Sequence, residues 1–255
     1  MKLFDAHFHV IDTRFHLEAN NGFIPDAFPF ASYENLLTSM ALKVDGGAII
    51  SGSFQGYDTG YLQILKELTA QYPDRKYVAI ANVKTTASDA DILALAQRGV
   101  AGARFNLFRG NGASVTAIAD FAQRAYEVAG WTIELQVNPQ QLADMVPVLT
   151  QIPRLSIDHV GMRKVSIPTL YELADKGVKI KASGFGRLDF DPWPVLVKLN
   201  DINPKALMFG SDIPGTRVAH KFEKADIAHF DSLFDDTAQQ RILHDNAYDW
   251  YINQK

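Results

Sequence analysis

The sequence is expected to fold as a (β/α)8 barrel. It carries eight short apolar or β-branched runs, amphipathic segments between them, and no glycine-rich phosphate turn after the first run. The runs fall at 2–7, 47–51, 77–82, 101–105, 131–136, 155–158, 178–182 and 207–210. Each has the length of a buried strand. Segments 61–72, 90–97, 115–128, 140–150, 168–176 and 194–199 repeat apolar residues at helical spacing, and 237–251 would be the closing helix. Boundary signals agree: Ser88-Asp89 and Asn138-Pro139 suit helix starts, while Arg98-Gly99 and Lys176-Gly177 suit helix ends followed by strands. No linker, charge block or repeat interrupts the eight units, so a single barrel domain over 1–255 is expected. A doubly wound open sheet is the alternative, but its phosphate turn would stand where this chain has His7-Phe8-His9.

Composition narrows the partners. A formal charge of −4 with no basic block gives no electrostatic footprint for nucleic acid. With no cysteine, the chain has neither disulfide nor thiolate ligand, and any metal must be held by histidine, carboxylate and water. No uncharged apolar stretch reaches about 18 residues, and no basic region with an apolar run opens the chain. A cytoplasmic protein acting on a small molecule is expected, with no membrane partner and the oligomeric state open.

Barrels of this kind place their chemistry at the carboxyl ends of the strands. Here those ends carry His7 and His9, Ser51, Asn82, Arg104, Gln136, His159, Ser183 and Asp212. Regular alternation sets His7 and His9 on one side, about 7 Å apart along the strand. It would set Asp5 with them and Phe4 and Phe8 opposite. Gly161 lets the chain turn away after His159. Asp212 would come beside His7 and His9 when strand eight meets strand one. Each residue also has a plainer reading: paired histidines in a half-buried strand, Ser51, Asn82 and Ser183 as turn residues, Asp212 as a cap. The combination of three of the seven histidines with Asp212 at one mouth favours a site.

Arg104, Arg109, Arg163 and Arg187 follow the same geography. An arginine grips a carboxylate through two parallel hydrogen bonds, so they point to an anionic or oxygen-rich substrate, with the Gln136 amide as a further contact. Segment 10–32 is too long for an ordinary connection. It reads either as a lid over the mouth or as a packing excursion along the barrel.

Asp5-Ala6-His7-Phe8-His9, Gly102-Ala103-Arg104-Phe105-Asn106, Asp158-His159-Val160-Gly161 and Phe209-Gly210-Ser211-Asp212-Ile213-Pro214 together resemble the amidohydrolase superfamily over nearly the whole chain. Within it the chain is most similar to the amidohydrolase-related group that contains 2-pyrone-4,6-dicarboxylate lactonase and sugar-acid lactonases. The resemblance implies a TIM barrel of the metal-dependent hydrolase type, with His7, His9, His159 and Asp212 in the active site. Metal-rich members carry lysine or histidine where this chain has Gln136, a poor metal ligand, so a two-metal centre is not expected. The resemblance leaves two states: one Zn2+ on His7, His9 and Asp212, or no metal. The expected reaction is hydrolysis of a small lactone, with Asp212 as general acid and base and the histidines polarising the carbonyl. A zinc-dependent decarboxylase of the same superfamily and a non-catalytic binding barrel are the alternatives.

Overall fold

The computed structural model describes residues 2–108, 113–218 and 220–253. Its parallel strands are β1 (Leu3–Phe8), β2 (Val44–Ile50), β3 (Lys76–Asn82), β4 (Val100–Asn106), β5 (Thr132–Gln136), β6 (Leu155–Ile157), β7 (Lys179–Ala182) and β8 (Leu207–Phe209), adjacent in sequence order within one sheet. Beyond β8 the chain returns to β1. The Asp212 N–H donates to the His7 carbonyl at 2.7 Å and the His9 N–H to the Ile213 carbonyl at 2.8 Å. These bonds draw the sheet round into the expected (β/α)8 barrel. β2 starts three residues before its apolar run, because Val44 and Gly46 already pair with Leu3 and Phe4 of β1.

The intervening helices are α1 (Phe30–Ser39), α2 (Gln63–Gln71), α3 (Asp89–Ala96), α4 (Val115–Ala129), α5 (Leu142–Leu149), α6 (Ile167–Asp175), α7 (Trp193–Ile202) and α8 (Lys224–Leu233). The closing segment runs through α9 (Asp236–Gln240), one wide π-type stretch and α10 (Asn246–Tyr251). Ser88 caps α3 through its Oγ, which accepts the Asp91 N–H. Helices α1 and α8 go beyond those expected from the sequence. Phe30, Tyr33 and Leu37 of α1 are buried at helical spacing, but they adjoin the long irregular segment before them. In α8 two apolar residues, Ile227 and Phe230, are buried, so its stripe is faint.

Strand alternation divides the core. Ala79 and Ala81 of β3, Ile133 and Leu135 of β5, Ile180 and Ala182 of β7, and Leu207 and Phe209 of β8 join the cluster that includes the surrounding helices. Phe4, Ala6, Ala48, Ile50, Ile80 and Met208 form a second cluster with Ala247 and Tyr251 of α10, which closes the floor of the barrel. No helix among the described residues is long and apolar enough to cross a membrane.

One expectation about β1 is corrected. Between the pairs Asp5↔Gly47 and Phe8↔Ile49, β1 spends one more residue than β2, and such a bulge exchanges the faces of the strand. Phe4 therefore packs in the floor cluster, while Asp5 and Phe8 both meet α1. The Tyr33 hydroxyl donates to Asp5 Oδ2 at 2.9 Å, and its ring stacks on Phe8 with centroids 4.1 Å apart. Asp5 does not share the face of His7 and His9.

Candidate active site

Asp5 locks the junction beneath the site. Its carboxylate accepts the backbone N–H of His7 at 3.1 Å and of Ser211 at 2.9 Å, and the Ser211 hydroxyl at 2.6 Å. The ends of β1 and β8 are thereby held together. Gly210 permits the approach, since a Cβ there would stand 2.7 Å from His7 Cβ.

His7, His9, His159 and Asp212 converge at the mouth. The ring centroids of His7 lie 5.1 Å from those of His9 and 4.6 Å from those of His159. His9 Nε2 and His7 Nε2 stand 3.6 and 3.9 Å from Asp212 Oδ1. His9 Nδ1 meets the Ile50 carbonyl at 2.8 Å, and a carbonyl only accepts, so that nitrogen carries the proton. His159 Nδ1 pairs with Ser183 Oγ at 3.0 Å, a contact that leaves no room for a side chain at Gly184, whose Cβ would stand 2.5 Å away. His159, Val160 and Asp212 all hold positive φ, at 52°, 46° and 57°. Such conformations cost about 1–3 kcal/mol each and cluster at sites whose geometry the fold enforces.

The polar residues around them are already engaged. Arg104 donates from Nε to Asp158 Oδ2 at 2.9 Å and from Nη2 to Gln136 Oε1 at 2.8 Å. Gln136 Oε1 also accepts from Asn106 at 2.9 Å. Arg187 donates from Nε to Asp212 Oδ2 at 2.6 Å and from Nη2 to the Thr216 carbonyl at 3.2 Å. Arg163 turns instead to the Met162 and Arg187 carbonyls and lies over the Phe108 ring, bracing the Arg187 turn. Arg109 lies outside the described residues. Ser51 bonds the Tyr61 hydroxyl, and Asn82 ties down the carbonyls of Gly52 and Gly56.

Burial sets the charge states of this cluster. It pushes the His159 imidazole down to about 3 and, together with Lys181, holds His7 well below its usual value. Burial alone would push Asp212 up, but His159 and Arg187 outweigh it and hold the carboxyl well below the usual range. Asp158 behaves alike, with Arg104 foremost among the neighbours that outweigh burial.

A space of about 220 Å³ reaches Asp212 from the side of Gly184, Gly186 and Lys221, and two more open on the Arg104 side of the cluster. A small one of about 40 Å³ is bounded by His9, Arg104, Gln136, His159, Arg187 and Arg217. A larger one of about 630 Å³ shares Ser53, Arg104 and Asn106 with it and runs out past Asn82, Lys84 and Tyr57. Segment 10–29 contributes Glu18, Asn20 and Asn21 to the larger space and Phe23 to the smaller. Its ends are tied by the Ile11–Phe28 bridge, so it acts as a wall anchored at both ends.

The chemistry of a metal ion fits one position. His7 Nε2 and Asp212 Oδ1 are buried without a hydrogen-bond partner among the described residues. With His9 Nε2 they form a trio whose ligand atoms all lie within 4.8 Å of one another. With His7 Nε2 unprotonated, these three could hold one divalent ion with water completing its shell. His7, Asp158 and His159 bring atoms equally close, but Asp158 is tied to Arg104 and His159 to Ser183. Gln136 supplies no bridge to a second ion, since its oxygen is taken by Arg104 and Asn106.

Two buried charged residues beneath the site, Glu134 and Lys181, carry no motif in the sequence, and Asp158 stands in the His159 motif without an assigned role. Lys181 forms an ion pair with Glu134 and stands 3.8 Å from Asp158. The available signal was parity. Glu134 lies two residues before Gln136, and Lys181 two before Ser183, so each points into the barrel beneath a mouth residue.

Comparison with known proteins agrees with this architecture. The chain matches an amidohydrolase family profile over residues 4–251. None of the curated proteins searched matches it. Among solved structures, a probable 2-pyrone-4,6-dicarboxylic acid hydrolase of Acinetobacter baumannii, with citric acid bound, superposes with a TM-score of 0.79 at 24% identity, covering 99% of this chain and 100% of that one. A protein of Pseudomonas putida with the same provisional assignment gives 0.80 at 23% identity, over 98% and 97%. An amidohydrolase 2 of Bifidobacterium longum subsp. infantis gives 0.68 at 18% identity, over 100% and 99%. At these identities the structures share the fold. With the profile spanning β1 to α10, the chain belongs to the amidohydrolase family and is a hydrolytic enzyme of that type.

Proposed function

We propose that this enzyme hydrolyses a small lactone bearing a carboxylate or several hydroxyls, with Asp212 as general acid and base. The observation that carries the reading is the division of the Asp212 carboxylate. Oδ2 is held by Arg187, while Oδ1 is buried, unpartnered among the described residues, and faces His7 and His9. An oriented acceptor beside imidazoles is what deprotonation of water against a carbonyl requires.

In the proposed reaction a water gives a proton to Asp212 Oδ1 as its oxygen bonds to the carbonyl carbon, and the carbonyl electron pair moves onto oxygen. Collapse of the tetrahedral species breaks the ring C–O bond. The Asp212 carboxylic acid then returns its proton to the departing alkoxide, which leaves a hydroxy acid and restores the carboxylate. His159 and His9 border the small space where the oxyanion would form, with His7 directly beneath them, and a well-placed donor there contributes about 3–4 kcal/mol. A divalent ion would be held by His7, His9 and Asp212 only with His7 Nε2 unprotonated, and would then supply Lewis-acid polarisation of the carbonyl. Arg104, with Nη hydrogens beyond its bond to Gln136, and Arg187 face the space a substrate carboxylate would occupy. The A. baumannii structure holds citric acid, a polycarboxylate, which supports an anionic ligand for this enzyme.

A panel of aldonolactones and pyrone carboxylates, read by acid release at constant pH, tests the reading. Lactone opening supports it. Release of carbon dioxide would replace it with a decarboxylase, and ligand binding without either product with a binding barrel.

A further inference from the structure

We propose that Lys181 is a positioning residue that fixes the His7 imidazole as a hydrogen-bond donor through Nε2, so that the cluster offers an N–H to its ligand in preference to a lone pair to a metal ion.

The argument begins beneath the mouth. Lys181 is fully buried inside the barrel, with Nζ 3.3 Å from His7 Nδ1. It donates to Glu134 Oε2, while Glu134 Oε1 accepts the Tyr251 hydroxyl from α10. The floor helix thus reaches the mouth through Tyr251, Glu134, Lys181 and His7. An ammonium has three donors and no acceptor, so the nitrogen it meets must present a lone pair. A neutral imidazole then carries its proton on Nε2, the atom that faces Asp212 Oδ1 at 3.9 Å.

The competing partner of Nδ1 is Asp158 Oδ1 at 3.4 Å. That oxygen makes no aligned hydrogen bond among the described residues. Of the two contacts on Nδ1, the one with Lys181 has hydrogen-bond geometry and the one with Asp158 does not. Metal-binding histidines show the opposite arrangement, donating from the second nitrogen to a carboxylate or carbonyl. His9 has that arrangement through Ile50; His7 does not. Charge agrees: Arg104, Lys181 and Arg187 face Glu134, Asp158 and Asp212, three of each sign. A divalent ion would leave this buried set two charges positive.

Only the use of the Nε2 proton on a carbonyl oxygen rests on the proposed lactonase reaction; the tautomer does not. The test is long-range proton–nitrogen correlation NMR on chelator-treated protein labelled with 15N-histidine, with His7 assigned by its loss in His7→Asn. The expected spectrum has His7 Nδ1 unprotonated and Nε2 protonated, and a proton on Nδ1 overturns the proposal. The double variant Lys181→Met with Glu134→Gln removes the ion pair as a unit and keeps an acceptor for Tyr251. In it the His7 proton should move to Nδ1, and Zn2+ affinity by equilibrium dialysis should rise at least tenfold. A folded double variant with unchanged tautomer or unchanged affinity overturns the proposal, and if the variant does not fold, the wild-type spectrum decides alone. Neither readout uses lactone turnover, so failure on the lactone panel and failure here remain distinct.

Discussion

Arg187 holds Asp212 by one oxygen, Nε to Oδ2 at 2.6 Å, and leaves the other facing the histidines. The pairing orients the carboxylate and keeps it ionised, because with His159 it holds the carboxyl well below its usual value. Loss of activity on protonation of Asp212 should therefore begin only below about pH 4, the ordinary aspartate range. Arg187→Gln removes the cation while burial remains, so the Asp212 pKa should rise and the acid limb of kcat/KM should move to higher pH. A pH–rate profile of the two proteins on one substrate checks this. An unmoved limb would show that Asp212 does not set it.

Asp212→Asn keeps the shape and both backbone contacts at the β8–β1 junction but cannot take a proton from water. General acid–base groups contribute about 10²- to 10⁴-fold, and the variant should lose kcat by at least the lower figure. Circular dichroism and substrate-analogue binding should stay near wild type. Turnover at the wild-type rate would rule out Asp212 as the base.

Arg104 is expected to affect stability as much as binding. Its Nε is the aligned donor on Asp158 Oδ2, and both side chains are buried. Arg104→Met leaves that carboxylate with Lys181 and His7 alone, and breaking one side of a buried pair costs about 3–5 kcal/mol. Urea unfolding should show the loss. Arg104→Met combined with Asp158→Asn should recover much of it without recovering affinity for an anionic substrate. Equal stability of the two variants would show that the pair contributes little.

The barrel was legible in the sequence because each strand of a parallel sheet buried on both faces is a compact apolar run bounded by helix signals. The mouth was legible because His159, Asp212 and Arg104 stand at strand ends, where the fold places chemistry. Asp5 was misplaced because alternation assumes an unbroken pleat, and nothing in Leu3-Phe4-Asp5-Ala6-His7 marks the extra residue that the pairing with β2 reveals. Lys181 and Glu134 escaped notice for a related reason. Each sits mid-strand, where a charge looks like a solvent-facing residue until closure turns that face inward. Arg163 shows the converse limit: its position beside His159 suggested a mouth residue, but the left-handed turn at Val160 and Met162 directs it to backbone carbonyls.

The buried neutral histidines make a last prediction about acid stability. In the folded chain His159 is pushed down to about 3 and His7 lies well below its usual value, whereas in the unfolded chain both return to about 6.5. Below pH 6.5 the unfolded state thus binds protons that the folded state does not, so stability must fall as pH falls. Between neutral pH and pH 5 His159 alone should cost about 2 kcal/mol, at 1.36 kcal/mol per pH unit over the 1.5 units below the unfolded value, and His7 adds to the loss in the same direction. The paired carboxylates Asp158 and Asp212 add nothing in this window, because their unfolded pKa values lie near 3.9 and their contribution is lost only below about pH 4. Urea unfolding of chelator-treated protein at pH 7.5 and pH 5 should therefore differ by at least about 2 kcal/mol, with His159→Gln removing about that much of the difference. A stability that stays level across that interval would mean that these imidazoles accept protons in the folded chain.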